Sequence, residues 1–325
     1  MQCLACSRLL VDMDMGMGIS MGNGRKASIA MVKMHGAVSI VNAIPTGKGS
    51  TLGIGLGVNV TVRMGEGDGK VIANTGDANF IHNIIKRIIP DDTLKRKDIA
   101  IEIRSRIPMG YGLKSSSAVS NAIALACYRL INADAYDDAV NNDNRITARD
   151  IQVIDAAVSA SIESKVSITG AFDDACACYF GGIFVTDNHA RRILKHEKVD
   201  ERVNVVILLP MGVRRSDPMR LRQPLLAEHF NHAIRLAEDG RYWDAMILNG
   251  LLVSSLLSIP YDLVMDALEH GALAAGISGN GPAVAAITDS ESKAKDIASV
   301  WQNYGEVIRS RASNEKARVS MVEDG

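Results

Sequence analysis

The sequence predicts an α+β chain folded as two domains, and three observations carry that prediction. Stretches of period-two alternation stand beside stretches of helical apolar spacing, gathered in two blocks. The 325 residues are enough for two ordinary domains. Only 4% are aromatic, so the core must be built mainly from Ile, Val, Leu, Ala and Met.

The elements follow in chain order. Residues 1–33 are rich in Met and Gly and show neither period, which predicts a disordered extension; Met31 or Met34 would serve as a start. The first domain is expected over 34–200 and opens on the apolar run Ala37–Ala43. Pro45-Thr-Gly-Lys-Gly-Ser50 leads into a strand with Ile54, Leu56, Val58, Val60, Val62 and Met64 on one face. Gly65–Gly69 reads as a hairpin turn into a strand at Val71–Asn74. Ile99, Ile101, Ile103 and Ile107 mark a strand that stops at Pro108. A helix follows Ser115, with Val119, Ile123, Ala126 and Leu130 on one stripe. Another starts at Thr147, where Thr147-x-x-Asp150 has the form of a capping box; its stripe is Ile151, Ile154, Val158 and Ile162. Gly181-Gly182 opens a strand that runs to Asp187.

The second domain is expected over 201–325, beginning with a buried strand at Val203–Leu209. Helices are expected at Pro224–Glu238, Tyr242–Leu257 and Tyr261–Glu269. A Gly-rich turn at Ser278–Pro282 precedes a strand at Ala283–Thr288. The last helix, Ser290–Tyr304, is expected to end with Gly305 as its C-cap, before a final strand at Glu306–Arg309.

Composition excludes several function classes. A formal net charge of −1 gives no global field for nucleic acid or an anionic membrane, and no basic stripe with interleaved aromatics appears. No stretch approaches the ~20 apolar residues of a membrane span, and the N-terminus lacks the apolar core of a signal peptide. Five scattered cysteines, an odd count, suit a reducing cytoplasm better than a disulfide framework. Cys3 and Cys6 form one CxxC pair with no partner pair, which reads as two incidental thiols.

Four pieces can carry chemistry. The first is Ile107-Pro-Met-Gly-Tyr-Gly-Leu-Lys-Ser-Ser-Ser-Ala118, where a strand ends, glycines turn the chain and serines open a helix. Gly110 and Gly112 free backbone N–H groups to face an anion, and the helix N-terminus adds its own N–H groups and positive dipole end. Ser115 and Ser116 offer hydroxyls to phosphate or Mg²⁺, and Lys114 offers a cation. This is not a Walker A loop: Gly47-Lys-Gly-Ser50 has Gly where Ser or Thr belongs. The second piece is Thr169-Gly-Ala-Phe-Asp-Asp-Ala175, whose carboxylates could serve as a general base or hold a metal. In isolation, Asp173-Asp174 reads better as an acidic surface turn. The third, Ile277-Ser-Gly-Asn-Gly-Pro-Ala283, and the fourth, Lys48 between glycines, read alone as a tight turn and a solvated lysine.

Taken together and in order, these pieces resemble the GHMP kinases, the superfamily of homoserine, mevalonate and galactose kinases. Pro108–Ala118 is similar to their phosphate loop and Gly276-Ile-Ser-Gly-Asn-Gly-Pro282 to their late glycine loop. Asn42–Ser50, Thr169–Ala175 and Tyr179-Phe-Gly-Gly-Ile183 with Thr186-Asp-Asn188 resemble the archaeal shikimate kinases. The likeness covers nearly everything from His35 to about Arg311; Lys114 departs from it, since many members carry a small residue there.

The resemblance implies an N-terminal domain like the second domain of ribosomal protein S5, a ferredoxin-like C-terminal domain, and a site in the cleft between them. It implies ATP and Mg²⁺ as cofactors, with shikimate as acceptor. Pro108, Met109, Gly110, Tyr111, Gly112, Leu113, Lys114, Ser115, Ser116, Ser117 and Ala118 would hold the nucleotide, and Ser116 would reach the metal. Asp173 would act as base with Lys48 beside it, and Asp174 would take over if the register slips by one. A substrate carboxylate calls for an arginine, with Arg63, Arg104, Arg106, Arg214, Arg215, Arg220 and Arg222 as candidates. The competing readings are the same fold acting on another alcohol, such as homoserine or a mevalonate-pathway intermediate, and a non-catalytic binding protein of that fold.

Overall fold

A computed structural model describes residues 27–133, 145–212 and 223–322. The expected disorder of residues 1–26 therefore lies outside the described residues, as do Arg214, Arg215, Arg220 and Arg222.

The first strands are β1 (Ser28–Val41), β2 (Lys48–Glu66), β3 (Val71–Ala73), β4 (Lys97–Ser105), β5 (Ile183–Asp187) and β6 (Arg192–Glu197). β2 organises them. It pairs antiparallel with β1 along one side; on its other side, residues 48–52 pair with β5 and residues 58–66 with β4. The expected alternation holds: Ile54, Leu56, Val58, Val60, Val62 and Met64 are all buried.

Helices α1 (Ala78–Lys86), α2 (Asp91–Leu94), α3 (Ser115–Ile131), α4 (Ala148–Glu163) and α5 (Phe172–Phe180) accompany this sheet. The sequence signal for α1 was present but unread. Asp77 caps Phe80 N–H at 2.8 Å, and Phe80, Ile81, Ile84 and Ile85 fall on one buried face. The Thr147–Asp150 capping box of α4 forms as expected. Its stripe is rotated, however: Val153, Ile154, Ala157 and Val158 are buried while Ile162 is exposed. α3 is buried on more than one side, because it lies between β1 and β2 and helices α4 and α5.

The second sheet holds β7 (Asn204–Pro210), β8 (Ala274–Ile277), β9 (Val284–Thr288) and β10 (Gly305–Arg311), all antiparallel, in the order β10-β7-β9-β8. Its helices are α6 (Ala227–Glu238), α7 (Tyr242–Leu257), α8 (Asp262–Glu269) and α9 (Glu291–Trp301). One apolar cluster runs continuously through both sheets. No helix among the described residues is long and apolar enough to cross a membrane.

Five expectations are corrected. β1 begins at Ser28, inside the stretch read as structureless: Ile29, Val32 and Met34 are buried and Met31 is exposed, a pattern blurred by the buried Ala30. The last strand, β11 (Arg318–Val322), returns to pair with Ile29–Lys33 of β1, so the tail of the second expected domain belongs to the first sheet. β3 is not the hairpin partner of β2 but lies parallel to β4 on its far side. Asp98 accepts the N–H groups of Asp68 and Lys70, which holds the turn over the start of β4. Gly305 opens β10 instead of capping α9, whose last turn closes through Gln302 N–H to Ala298 O. A Cβ at 305 would sit 2.1 Å from Leu209 O, so this glycine permits a close strand approach. Finally, Asp173-Asp174 is no surface turn but the first turn of α5.

Candidate active site

The phosphate loop leaves β4 and enters α3. Gly110 and Gly112 adopt φ of 81° and 84°, which favours glycine. Lys114 is the N-cap of α3, also left-handed at φ 65°, and its side chain does not cap the helix. A left-handed non-glycine residue costs roughly 1–2 kcal/mol. The uncapped helix leaves the N–H groups of Ser115, Ser116 and Ser117 without intrahelical acceptors.

The late glycine loop braces this turn. Ser278 Oγ donates to Gly112 O at 2.8 Å and accepts from Ser39 N–H, while Ala283 N–H donates to Tyr111 O. A Cβ at Gly112 would lie 2.1 Å from Ser278 O, so the two loops touch backbone to backbone.

α5 brings in the carboxylates. Ala171 at φ 53° caps it, and Asp173 and Asp174 occupy its first turn, where the dipole favours anions. Asp173 is 2% exposed and fully engaged. Asn188 Nδ2 donates to its Oδ1 at 2.7 Å and Thr51 Oγ1 reaches its Oδ2 at 2.8 Å. Thr51 Oγ1 also lies 3.0 Å from Asp174 Oδ1, so one hydroxyl bridges the pair. A Cβ at Gly49 would sit 2.3 Å from Asp173 Oδ2; that glycine makes room for the carboxylate. Lys114 Nζ is 3.0 Å from Asp174 Oδ1 and 2.8 Å from Ser39 Oγ.

These parts line one cavity of about 460 Å³. Pro108, Gly110, Gly112, Leu113, Lys114 and Ser115–Ser117 line it together with Asp173 and Asp174. Three residues of the expected loop do not. Met109 points to solvent, Tyr111 contributes its carbonyl to the late loop, and Ala118 is buried in the core.

Lys48 is also absent from the lining. Residues 49 and 51 of β2 face the carboxylates, so alternation turns Lys48 to the opposite side, where its ammonium lies 3.6 Å from Glu238. The cation beside the carboxylates is Lys114. Arg63, Arg104 and Arg106 are exposed and none lines the cavity. Sequence reasoning gave no role to Ser39, Thr51 or Asn188. Asn188 lay within a quoted string, but nothing local marks Ser39 or Thr51.

Burial first, and then the neighbouring Asp173 charge, push Asp174 up from the ordinary 3.8 to about 6, against the pull of Lys114 and Thr51. With its folded-state value above the unfolded one, Asp174 contributes most stability when protonated, below about pH 4, and loses that contribution as pH rises through about 6. Asp174→Asn keeps the shape without the charge. Its stability should equal the wild type's near pH 4 and exceed it at pH 8 by on the order of 1–3 kcal/mol, read by urea unfolding. A variant less stable at pH 8 would show instead that the Lys114–Asp174 pair is net favourable.

The donor set suits nucleotide and Mg²⁺. Open helix N–H groups match phosphate oxygens, and serine hydroxyls with carboxylates are hard oxygen donors of the kind Mg²⁺ takes.

Comparison with known proteins identifies the family. Residues 79–182 match the GHMP kinases N terminal domain and residues 245–307 the GHMP kinases C terminal domain. The chain is 37% identical over 284 residues to the shikimate kinase of Pyrococcus furiosus, covering 85% of this chain and 96% of that protein. It is 35% identical over 292 residues to the shikimate kinase of Methanothermobacter thermautotrophicus, covering 89% and 97%. Among solved structures, the homoserine kinase of Cytophaga hutchinsonii superposes with a TM-score of 0.65 at 20% identity, over 89% of this chain and 97% of that one. The mevalonate kinase of Methanococcus jannaschii gives 0.62 at 15%, over 87% and 98%. The structural likenesses show the fold, the sequence likenesses the family, and the chain belongs to the GHMP kinases.

Proposed function

We propose that this kinase transfers the γ-phosphoryl group of Mg²⁺-bound ATP to the 3-hydroxyl of shikimate. One observation carries the reading: the buried Asp173 carboxylate faces the same cavity as the glycine loop and the open N-terminus of α3. The names of the curated relatives supply the acceptor.

Phosphoryl transfer needs positioning and charge neutralisation more than covalent help. The backbone from Gly110 to Ser116 would hold the phosphates, and Ser116 would be a ligand of Mg²⁺. When bound, the ion offsets charge on the phosphate oxygens. Asp173 would accept the proton of the acceptor hydroxyl as its oxygen attacks the γ-phosphorus and ADP leaves. Asn188 and Thr51 hold that carboxylate in place. We place the enzyme in the cytoplasm, a reading supported by Cys127, Cys176 and Cys178, which are free buried thiols.

The acceptor's carboxylate needs a cation, and among the described residues Lys114 and Lys165 are the cations that line the cavity. Lys114 is engaged with Asp174; Lys165 stands at the exposed end, after α4. Lys165→Met should raise the KM for shikimate about 10-fold, the scale of one charge-assisted contact, with the KM for ATP unchanged. Equal KM values for shikimate in variant and wild type would remove Lys165 from that role.

Product analysis tests the function itself. Incubation with ATP and shikimate should yield a monophosphate whose ³¹P signal couples to the ring proton at carbon 3. Phosphorylation at another hydroxyl, or no product at all, would overturn the assignment.

A further inference from the structure

We propose that Lys114, not Lys48, is the catalytic cation of this kinase, positioned by Asp174 and directed to the γ-phosphoryl group when ATP binds. The proposal rests on the kinase reading above and deepens it.

The first observation is position. Three separate segments converge on the Lys114 ammonium. Asp174 of α5 lies at 3.0 Å and Ser39 of β1 at 2.8 Å. Gly279 of the late loop leaves it space, since a Cβ there would lie 3.1 Å from Nζ. The Lys114 backbone itself occupies the N-cap position of α3. A phosphoryl group in transit must sit between the donor side, at the α3 N–H groups, and the acceptor side, at Asp173. Lys114 is joined to both: its backbone begins α3, and its ammonium pairs with the carboxylate next to Asp173. Its side chain is only 7% exposed, so its charge acts with little screening by water.

The second observation is conformational. Position 114 has a backbone that glycine adopts freely, yet it holds a lysine. The turn alone does not require that side chain, so the strain points to a job for the ammonium. The third is the exclusion of the alternative cation: strand parity sends Lys48 to Glu238.

Asp174 acquires a role as well. It holds the ammonium in place, with Ser39 as second partner. ATP brings a more highly charged anion to the same ammonium, and the lysine stem is long enough to change partners. The chemistry is unchanged: the acceptor oxygen–phosphorus bond forms, the bond to ADP breaks, and Asp173 receives the proton. Lys114 takes no part in the proton transfer and neutralises charge on the group being transferred.

The test compares Lys114→Met, Lys114→Gly and Lys114→Arg with the wild type. Lys114→Gly suits the left-handed backbone and guards against loss of folding, which thermal unfolding checks. Binding of Mg²⁺-ADP and of a non-hydrolysable Mg²⁺-ATP analogue is measured by calorimetry, and turnover with ATP and shikimate by product formation. Met and Gly variants should bind ADP within about 3-fold of wild type, bind the ATP analogue about 10-fold more weakly and turn over at least ~100-fold more slowly. Arg should restore analogue binding in part, because it keeps the charge but not the shape. Equal losses of ADP and analogue affinity would make Lys114 an ordinary phosphate-loop contact and overturn the proposal, as would wild-type turnover in the Met variant. The binding measurements need no acceptor, so they decide the proposal even if shikimate is not the substrate.

Discussion

Asp173→Asn is expected to lower turnover at saturating ATP and acceptor by at least ~100-fold, the span of general-base catalysis. The amide keeps the size of the carboxylate and can still meet Thr51 and Asn188, so the thermal transition should stay within a few degrees of wild type. Only the proton acceptor is lost. Nucleotide affinity should hold, because the phosphate loop is built by other segments. A folded variant with near-wild-type turnover would show that Asp173 positions the hydroxyl without taking its proton. The carboxylate would then act as an orienting group, and transfer would rest on the α3 N-terminus and the local cations.

Lys316→Met is expected to destabilise the protein by about 3–5 kcal/mol, the scale for stranding one partner of a buried ion pair. Lys316 lies between β10 and β11 and is buried. Its ammonium donates to Asp150 Oδ2 at 2.7 Å and to Arg145 O at 3.0 Å. Asp150 is fully buried, accepts from Tyr179 Oη at 2.9 Å and closes the capping box of α4. The pair therefore fastens the returning tail, and with it β11, to the helix that leads towards Lys165. Removing the lysine leaves the buried Asp150 charge with neutral donors at hydrogen-bond distance and the Arg149 guanidinium farther off at 3.9 Å. Adding Asp150→Asn to Lys316→Met should recover part of the loss, a coupling that a double-mutant cycle measures. A single-variant loss below about 1 kcal/mol in urea unfolding would mean that water or another cation replaces the ammonium.

The parts that were legible in the sequence share a physical property: their signal is contiguous. The phosphate loop could be read because the strand end, glycines, serines and helix follow one another from Ile107 to Ala118. The β2 alternation and the Thr147–Asp150 box are local in the same way. What escaped depends on pairing across distance. Ser39 and Thr51 look like ordinary strand residues; only β1–β2 pairing and the docking of α5 bring them to Lys114 and Asp173. β11 could not be placed because its partner lies almost three hundred residues earlier. α5 showed no amphipathic period because it is buried on nearly every side. The place expected for Lys48, beside Asp173, gave way to strand parity, which the loop reading of Pro45–Ser50 did not include. Lys114 was visible from the start as a departure from the family pattern, but its left-handed backbone and its pairing with Asp174 belong to the fold.

ADP release coupled to an optical signal, with Mg²⁺-ATP and a panel of shikimate, homoserine, mevalonate and galactose, decides the acceptor. Turnover is expected with shikimate alone. Turnover with another member of the panel and none with shikimate would contradict it, leaving the fold and the phosphate cradle in place but assigning the acceptor end of the cavity to a different alcohol.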